Sequence, residues 1–351
     1  MSGFDQRVMR IPLPVALIRA MDAVIIKGLG GYTTRAEFIV DAIQERVLEL
    51  TLPEEESAGP PPGAASPLPA LPAGATTPGA AGELVLAHAS MTALPPPTPA
   101  PTVATSDEYA RPERSLLFGL HNRDFPSLWA LSRLAEITAA GPVPIEDYFT
   151  EVCDEAWKFG VLLLGIEKQA GGKRTALFPT NREKKKAAET GFRTFAIGGY
   201  HRGPNRVLIT TGPLFEWQVV TLIPGAGAEP LVGMTPAGQS LLERVVGVTV
   251  EEPHPVRAAS VFLGHLARHA PADWSGFVEI LAAVGSSGAT RDEVLVRVGK
   301  AWPNSTDSEV STNAAGYIAR AREWGLLEPK QIKGCYHLTA FGLEQLNGAD
   351  R

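Results

Sequence analysis

Cysteine and long apolar runs are both scarce in this sequence. Its 351 residues include only two cysteines, Cys153 and Cys335, and neither has a second cysteine or a histidine at metal-ligand spacing. This argues against a disulfide framework or a zinc site and predicts two small buried side chains. No run of eighteen apolar residues occurs, and the opening MSGFDQRVMR lacks the hydrophobic core of a signal peptide. We therefore expect a cytoplasmic protein that does not contact a membrane.

Catalytic motifs are also missing. The sequence contains no GxxxxGK(S/T), GxSxG or HExxH pattern and no GxGxxG after a predicted strand. Acidic residues cluster between Glu146 and Glu155, but no nuclease-type Asp…Glu-x-Lys pattern lies near them. His265 and His269 are one helical turn apart, yet no third metal ligand accompanies them. We interpret the polar run 121–124 as a helix cap around Asp124, and we expect no enzymatic activity, cofactor or metal.

The charge balance does not by itself suggest a nucleic-acid partner, because the net charge is −6. The charges are unevenly distributed, however. Residues 1–52 carry six basic and six acidic side chains, whereas residues 168–206 carry ten Lys or Arg and two acids. Local patches, rather than the total, must therefore attract phosphate.

Residues 53–105 differ in composition from the rest of the chain. They contain 13 of the 30 prolines together with Ala, Gly, Ser and Thr, and four acids without a base. Proline removes backbone donors, and the apolar residues follow neither a helical nor a strand period. We predict a flexible, semi-extended linker in which the island 83–88 is either plain linker or a short docking segment.

The region beyond the linker has the patterns of a folded α+β protein. Helical spacing predicts helices at 127–138, 145–159 and 235–245, and strand-like runs occur at 174–178, 192–197, 206–211 and 217–223. Residues 253–351 are predicted to be mainly helical, with a helix capped near Thr290 and a short hairpin near 331–338. The expected organisation is multidomain: 1–52, the linker 53–105, then 106–250 and 251–351.

The first fifty residues have a strand–helix–helix pattern. Read as a strand, residues 6–13 place apolar side chains on one face and Gln6, Val8, Arg10 and Pro12 on the other. A helix follows from Val15 and ends at the glycine-rich residues 28–31 (Gly-Leu-Gly-Gly). A capping box then begins a second helix at residue 34. A core of this size is too small to be stable in a single chain, and a single strand leaves its backbone hydrogen-bonding groups unpaired. We therefore expect the module to form a dimer through this strand.

This pattern resembles the ribbon-helix-helix (Arc/MetJ/CopG-type) DNA-binding superfamily. The similar segments are RIPLPVALIRAMD (10–22), GLGG (28–31) and TTRAEFIVDAI (33–43). The resemblance implies a homodimer, formed through the strand and the helices, whose antiparallel ribbon enters the major groove of double-stranded DNA.

The resemblance also implies which residues contact DNA. The base-reading role falls on Val8, Arg10 and Pro12, with Gln6 at the end of the ribbon, and Arg10 is expected to bind guanine bidentately. Pro12 departs from the family because it offers no hydrogen bond there. The free amides at Thr33, Thr34 and Arg35 are expected to hold a phosphate.

The C-terminal region resembles tandem winged-helix domains. Its last hundred residues end in a helix, Gly-Leu-Leu, a basic turn and Tyr-x-Leu-Thr-x-x-Gly, in which Leu338 and Thr339 close the wing and Gly342 begins the next helix. The earlier segment repeats this close at 233–238 (GMTPAG), and KFGVLL takes the place of EWGLLE. The wing of this first domain would then carry a strand-rich, basic insertion.

This insertion is the most basic part of the chain and suits phosphate contacts. The predicted contacts are Lys173, Arg174, Arg182, Lys184, Lys185, Lys186, Arg193, Arg202 and Arg206. In the last domain the presumed recognition helix offers Asn313, Arg320 and Arg322, but Glu309 and Glu323 dilute its charge. The sequence leaves open whether that helix contacts DNA or a protein partner.

Taken together, the sequence predicts a dimeric, sequence-specific DNA-binding protein, most simply a transcriptional repressor associated with the nucleoid. Two alternatives use the same N-terminal reader: a plasmid or chromosome segregation adaptor, and an antitoxin that neutralises a partner protein. A nuclease would need catalytic carboxylates that the sequence does not present as a motif.

Overall fold

The fold is described from a computed structural model of the full chain. The described residues are 35, 92–104, 123–170, 177–180, 185–202, 208–225, 229–250 and 253–349. The chain divides into two units, Met1–Ala80 and Ala81–Arg351. Arg35 is the one described residue of the first unit, an exposed residue in a helix. The predicted ribbon-helix-helix module otherwise lies outside the described residues, as does the linker before residue 92.

The second unit is a mixed α+β structure that is mostly helical. Its described part first runs through α1 (Phe125–Ile137), β1 (Val143–Pro144), α2 (Ile145–Ala170), α3 (Lys185–Phe192) and a π-helical turn (Arg193–Ile197). The hairpin β2 (Gly199–Arg202) and β3 (Leu208–Thr211) follows, then α4 (Pro213–Glu216), β4 (Val220–Ile223), β5 (Leu231–Met234) and α5 (Pro236–Arg244). We call residues 124–244 repeat A.

A second run of elements has the same closing order. A connecting helix, α6 (Val256–His269), leads to α7 (Pro271–Val284), β6 (Ala289–Thr290), α8 (Arg291–Ala301), α9 (Asp307–Glu323), β7 (Cys335–Tyr336) and α10 (Ala340–Ala349). We call residues 273–349 repeat B. The predicted cap at Thr290 is confirmed, because its hydroxyl and Glu293 form a complete capping box at the start of α8.

The two repeats share one strand register. In repeat A, Val143 pairs with Val232 and Val220 pairs with Met234. In repeat B, the corresponding pairs are Ala289 with Tyr336 and Leu327 with Leu338. A threonine follows the closing strand in each repeat, Thr235 in repeat A and Thr339 in repeat B. In both repeats the paired residues of the closing strand lie three positions and one position before that threonine. The repeats therefore have the same closing architecture, although repeat A carries additional elements between its second helix and β4.

The Thr-x-x-Gly sequence closes both repeats in the same way. Thr235 donates its hydroxyl to the Gln218 carbonyl at 2.7 Å, and Thr339 donates to the Gly325 carbonyl at 2.6 Å. Each threonine oxygen then accepts the N–H of the glycine three residues later, at 3.0 Å in both cases. At either glycine an added Cβ would collide with a backbone carbonyl oxygen. Thr-x-x-Gly therefore fixes the closing helix against the preceding strand.

Residues 92–104 pack against this folded region, although the sequence analysis assigned them to the linker. The Leu94 N–H donates to the Val248 carbonyl at 2.9 Å, and the Val103 N–H donates to the Met234 carbonyl at 2.8 Å. Strand β1 pairs only with Leu231 and Val232 of β5, so the carbonyl of Met234 is accessible to this segment. Proline-rich chain cannot form its own ladder, but its remaining N–H groups can pair with a strand edge.

Helices were predicted more accurately than strands. The helices at 127–138 and 235–245 are confirmed, α2 extends beyond the predicted 159, and the hairpin near 331–338 is confirmed. The strand predicted at 192–197 is wrong, because these residues end α3 and form the π-helical turn. Phe192, Ala196 and Ile197 are buried at helical spacing, and a short apolar run does not distinguish the two structures.

The other predicted strands are correct only in part. The run 206–211 forms β3 from Leu208, and the run 217–223 forms β4 only from Val220, since Trp217 still ends the short helix α4. The described part of 174–178, residues 177 and 178, is not in a strand. Buried apolar side chains form one continuous core through both repeats, so the predicted domains 106–250 and 251–351 share a core.

Candidate nucleic-acid interface

The structure describes only part of the predicted DNA-contacting set. Arg35, Lys185, Lys186, Arg193 and Arg202 are described. Outside the described residues lie Gln6, Val8, Arg10, Pro12, Thr33, Thr34, Lys173, Arg174, Arg182, Lys184 and Arg206. The geometry of the site is therefore built from the basic insertion.

Lys185, at the start of α3, is bound to acidic side chains of its own chain. Its Nζ lies 2.8 Å from Asp154 Oδ1 and 3.4 Å from Glu189 Oε1, and 4.7 Å from the centre of the Trp157 ring. The hydrogen bond to Asp154 raises the pKa of Lys185. Lys185 is thus a cation whose charge is largely compensated, and it attaches α3 to α2.

Arg193, in the π-helical turn, is bound in the same manner. Its guanidinium lies 3.8 Å from the centre of the Phe149 ring, and Nη1 lies 3.3 Å from Glu146 Oε2. Both Glu146 and Asp154 belong to the acidic cluster of α2, which the sequence analysis had considered for nuclease chemistry. In the structure these two acids are ion-pair partners of the basic insertion.

The remaining described cations of the insertion lie on the surface. Lys186 is exposed on α3, and Arg202 is exposed at the end of β2, where the hairpin leaves the described residues. Of the described residues among the predicted phosphate contacts in the insertion, Lys186 and Arg202 are exposed, whereas Lys185 and Arg193 are half-buried against acids and rings of α2.

The predicted recognition helix of repeat B, α9, does not present Asn313 or Arg320 at its surface. Asn313 and Arg320 are buried, and the guanidinium of Arg322 lies 5.2 Å from the centre of the Tyr336 ring. The exposed first turn of α9 carries the acids Asp307 and Glu309 instead. The expectation that this helix offers Asn313 and Arg320 for recognition is therefore wrong.

Arg320 connects the two repeats. Its Nε donates to Asp124 Oδ1 at 2.8 Å, and its Nη1 and Nη2 donate to the two carboxylate oxygens of Asp273 at 2.7 Å each. All three side chains are buried. Burial alone would lower the pKa of Arg320, but Asp124 and Asp273 raise it above its ordinary value. The bidentate pair places a permanent cation between two buried carboxylates.

The two aspartates also receive crossed indole hydrogen bonds. Trp324, at the end of α9 in repeat B, donates its Nε1–H to Asp124 of repeat A at 2.6 Å. Trp217, the equivalent residue of repeat A, donates to Asp273 of repeat B at 3.0 Å. Phe262 lies between the indoles, stacked on Trp324 at 4.4 Å and edge-on to Trp217 at 5.0 Å between ring centres. The repeats thus contact each other with approximate two-fold symmetry.

The N-terminus of α1 is capped by a residue of the other repeat. Asp124 precedes α1 as predicted, but its side chain makes no cap hydrogen bond. Glu323 instead accepts the backbone N–H groups of Asp124 and Phe125 at 2.5 and 3.0 Å. Burial alone would raise the pKa of Glu323, but His254, Arg123 and the Asp124 N–H lower it to about 2.

The predicted histidine pair is part of the packed structure. His265 is buried and donates Nε2–H to the Trp217 carbonyl at 2.8 Å, and its ring centre lies 4.7 Å from that of His269. Burial lowers the pKa of His265 to about 4. Within the described ranges no group of three His, Cys, Asp or Glu side chains is arranged to hold a metal ion.

The two cysteines differ in burial. Cys153 is buried as predicted, and burial raises the pKa of its thiol to about 12, whereas Cys335 is half-buried. Neither forms a disulfide. In the part of the chain that is described, no helix has the length and apolar character needed to span a bilayer.

Comparison of the chain with protein-family models, curated proteins and solved structures found no match.

Sequence reasoning missed the buried network between the repeats. A signal for it is present, because the dipeptide Glu-Trp occurs at 216–217 and again at 323–324. The predicted alignment of KFGVLL, within α2, with EWGLLE is wrong. The structure aligns EWQVV (216–220) with EWGLL (323–327), since Val220 and Leu327 occupy the same register position.

Proposed function

We propose that this chain is a sequence-specific DNA-binding protein that acts as a dimeric transcriptional regulator. The observation that carries the proposal is the pattern of residues 6–43: an alternating strand, an amphipathic helix, a glycine turn and a capped second helix. In this interpretation residues 1–52 form a ribbon-helix-helix reader, in which Arg10 supplies the main polar contact to a base edge.

The order of elements in the two repeats supports a winged-helix interpretation of the C-terminal region. Each repeat begins with a helix, a two-residue strand and a second helix, and ends with antiparallel strands and a Thr-x-x-Gly helix. In repeat B the turn of the hairpin is Lys333-Gly334, both at positive φ, which matches the twist of a two-residue hairpin. We therefore propose tandem winged-helix-like domains joined by a buried interface.

The two repeats are proposed to contribute differently to DNA binding. Repeat A presents Lys186 and Arg202 on its surface, next to a basic segment. In repeat B, Arg320 is committed to two buried carboxylates, and the exposed turn of α9 is acidic. Phosphate contacts are therefore assigned to repeat A, and repeat B acts as its structural support.

The test is genome-wide mapping of the DNA that the full-length protein occupies, followed by fluorescence anisotropy on a recovered site and on a scrambled duplex. Arg10→Ala is expected to reduce the preference for the site by about 5- to 150-fold, the contribution of one bidentate base contact. Arg10→Lys is the matched variant, because it keeps the charge but lacks the guanidinium fork. It should bind the scrambled duplex normally and still lose the preference.

The dimer should persist in both variants by sedimentation, since Arg10 lies on the outward face of the predicted ribbon. An unchanged preference in Arg10→Ala would overturn the assignment of the ribbon, and the lack of any occupied site would overturn the function.

A further inference from the structure

A small surface pocket, with a cavity volume of about 40 Å³, lies between α5 and α6. Its polar lining consists of Ser240 and Arg244 from α5 and of His265, Arg268 and His269 from α6. The rest of the lining is apolar: Ala237, Leu241 and Val261. Two guanidinium groups, the imidazole of His269 and a hydroxyl thus surround one cavity, and no lining residue is acidic. His265 also lines it, but its Nε2–H is already donated to the Trp217 carbonyl.

The positive charge of this pocket is not compensated within the described part of the chain. Among the described residues no carboxylate forms an ion pair with Arg244 or Arg268, and Arg268 donates its Nε–H to the Gly264 carbonyl at 3.0 Å. Burial and then the charge of Arg268 lower the pKa of His269. The pocket is therefore a site where a bound anion would gain favourable interactions that the protein itself does not supply.

The corresponding surface of repeat B lacks this arrangement. Helix α10 is the counterpart of α5, and aligning Thr339 with Thr235 places Glu344 at the position of Ser240 and Gly348 at that of Arg244. The same fold thus forms without the basic residues. Closure of the repeat therefore does not require a basic residue at the position of Arg244.

We propose that this pocket binds a phosphate group. Its volume of about 40 Å³ is far below the range of about 300–1,000 Å³ that is usual for larger organic ligands, so only a compact group such as an oxyanion fits. Guanidinium groups bind phosphate oxygens through paired N–H donors, and the hydroxyl of Ser240 and the imidazole of His269 provide further donors. The phosphate belongs either to a DNA backbone or to a small phosphorylated molecule, and the inference does not depend on the proposed function.

The experiment is a titration of the full-length protein with inorganic phosphate at constant ionic strength, with sodium chloride as the balancing salt. Histidine imidazoles are followed by NMR after labelling, and His269→Gln assigns the resonance of interest. Phosphate should raise the pKa of His269 saturably, because an adjacent anion stabilises the imidazolium form.

Arg244→Ala combined with Arg268→Ala should weaken phosphate binding at least tenfold. Arg257→Ala is the matched control, since it removes one cation of α6 that does not line the pocket, and it should change the affinity by less than twofold. Arg244→Lys combined with Arg268→Lys keeps the charge in case the alanine variant unfolds. It should retain the fold and bind several-fold more weakly, because lysine lacks the paired donors.

Three results would overturn the proposal: a response that chloride alone reproduces, equal binding by the doubly substituted alanine variant, or a loss of thermal stability in that variant without any change in phosphate affinity. The last result would mean that both arginines serve only the C-termini of their helices.

Two further measurements identify the source of the phosphate. If it is a DNA backbone, a random duplex shifts the same His269 resonance, and the alanine variant binds that duplex more weakly. If it is a small molecule, inorganic phosphate binds while duplex affinity is unchanged by the substitutions. DNA binding without a phosphate response refutes the pocket alone, and a phosphate response without DNA binding refutes the proposed function alone.

Discussion

Repeat A and repeat B have the same closing architecture but different surfaces. Their strand registers coincide, and Thr235 and Thr339 make the same hydrogen bonds. Repeat A adds a basic insertion and a hairpin, and its closing helix bears Arg244, whereas repeat B has an acidic first turn on α9 and a buried arginine. The conserved geometry therefore specifies the fold, and the segments that differ are where a function specific to either repeat has to be sought.

In the contact between the repeats, both repeats contribute an equivalent indole hydrogen bond, but only one of them contributes an arginine. Trp217 and Trp324 each donate to an aspartate of the other repeat. Only repeat B supplies an arginine, since the residue four positions before Trp217 is Pro213 and the one four positions before Trp324 is Arg320. One guanidinium consequently serves both buried carboxylates.

The strongest test of this asymmetry is Arg320→Met. Two carboxylates would be left in the core without their cation, and breaking a buried pair from one side typically costs about 3–5 kcal/mol. Urea unfolding should register this loss. Arg291→Met removes an exposed arginine of repeat B and should cost no more than about 0.5 kcal/mol. A loss for Arg320→Met as small as for Arg291→Met would mean that the aspartates do not depend on the shared arginine.

The pH dependence of stability should depend on Glu323. Its pKa is lowered from 4.5 to about 2 in the folded protein by His254, Arg123 and the Asp124 N–H, so the ionised carboxylate stabilises the fold at neutral pH. Since the folded value lies below the unfolded one, this contribution is present above about pH 5 and is lost as the pH falls towards 2. Measured by urea unfolding, Glu323→Gln should remove that part of the pH dependence. Glu344→Gln, at an exposed site, should keep the pH dependence of the unmodified protein. If the two variants showed the same dependence of stability on pH, its assignment to Glu323 would be wrong.

The symmetry of the indoles can be tested with Trp217→Phe and Trp324→Phe. Each substitution removes one hydrogen bond to a buried aspartate that keeps its contact with Arg320, and a hydrogen bond to a charged group typically contributes about 1.5–3 kcal/mol. The two losses should be similar by chemical unfolding. Trp157→Phe is the control, because its indole N–H has no hydrogen-bond partner among the described residues. A large difference between Trp217→Phe and Trp324→Phe would show that the repeats do not depend equally on the crossed bonds.

The smallest effect is expected for surface cations and DNA. Lys186→Ala with Arg202→Ala in repeat A should weaken binding to a scrambled duplex several-fold and reduce the salt dependence by about 0.9 per lost phosphate contact. Lys330→Ala with Lys333→Ala, on the exposed hairpin turn of repeat B, should leave both nearly unchanged. Fluorescence anisotropy over a series of salt concentrations measures both quantities. The reverse result would assign the phosphate contacts to repeat B.

The sequence predicted the features that depend on neighbouring residues. The helices at 127–138 and 235–245, the cap at Thr290 and the hairpin near 331–338 are governed by residues within a few positions of one another. The mistaken strand at 192–197 came from a short apolar run, where periodicity does not separate a strand from the end of a helix.

The candidate interface was harder to predict, because amino-acid composition does not determine which side chains are exposed. The sequence identifies a basic insertion, but whether a lysine faces solvent or an acid depends on what packs beside it. Lys185 and Lys186 are adjacent and chemically identical, yet Lys185 is paired with Asp154 of α2 and Lys186 is exposed.

By itself the sequence determined that this protein has an N-terminal strand–helix–helix pattern, a proline-rich segment and two related closing motifs. Only the tertiary structure decided which charges are buried. Asp124 and Arg320 are 196 positions apart, and nothing local marks either as half of an ion pair. Removing a charge from water is costly unless a partner is supplied, and only the packing of one repeat against the other supplies it.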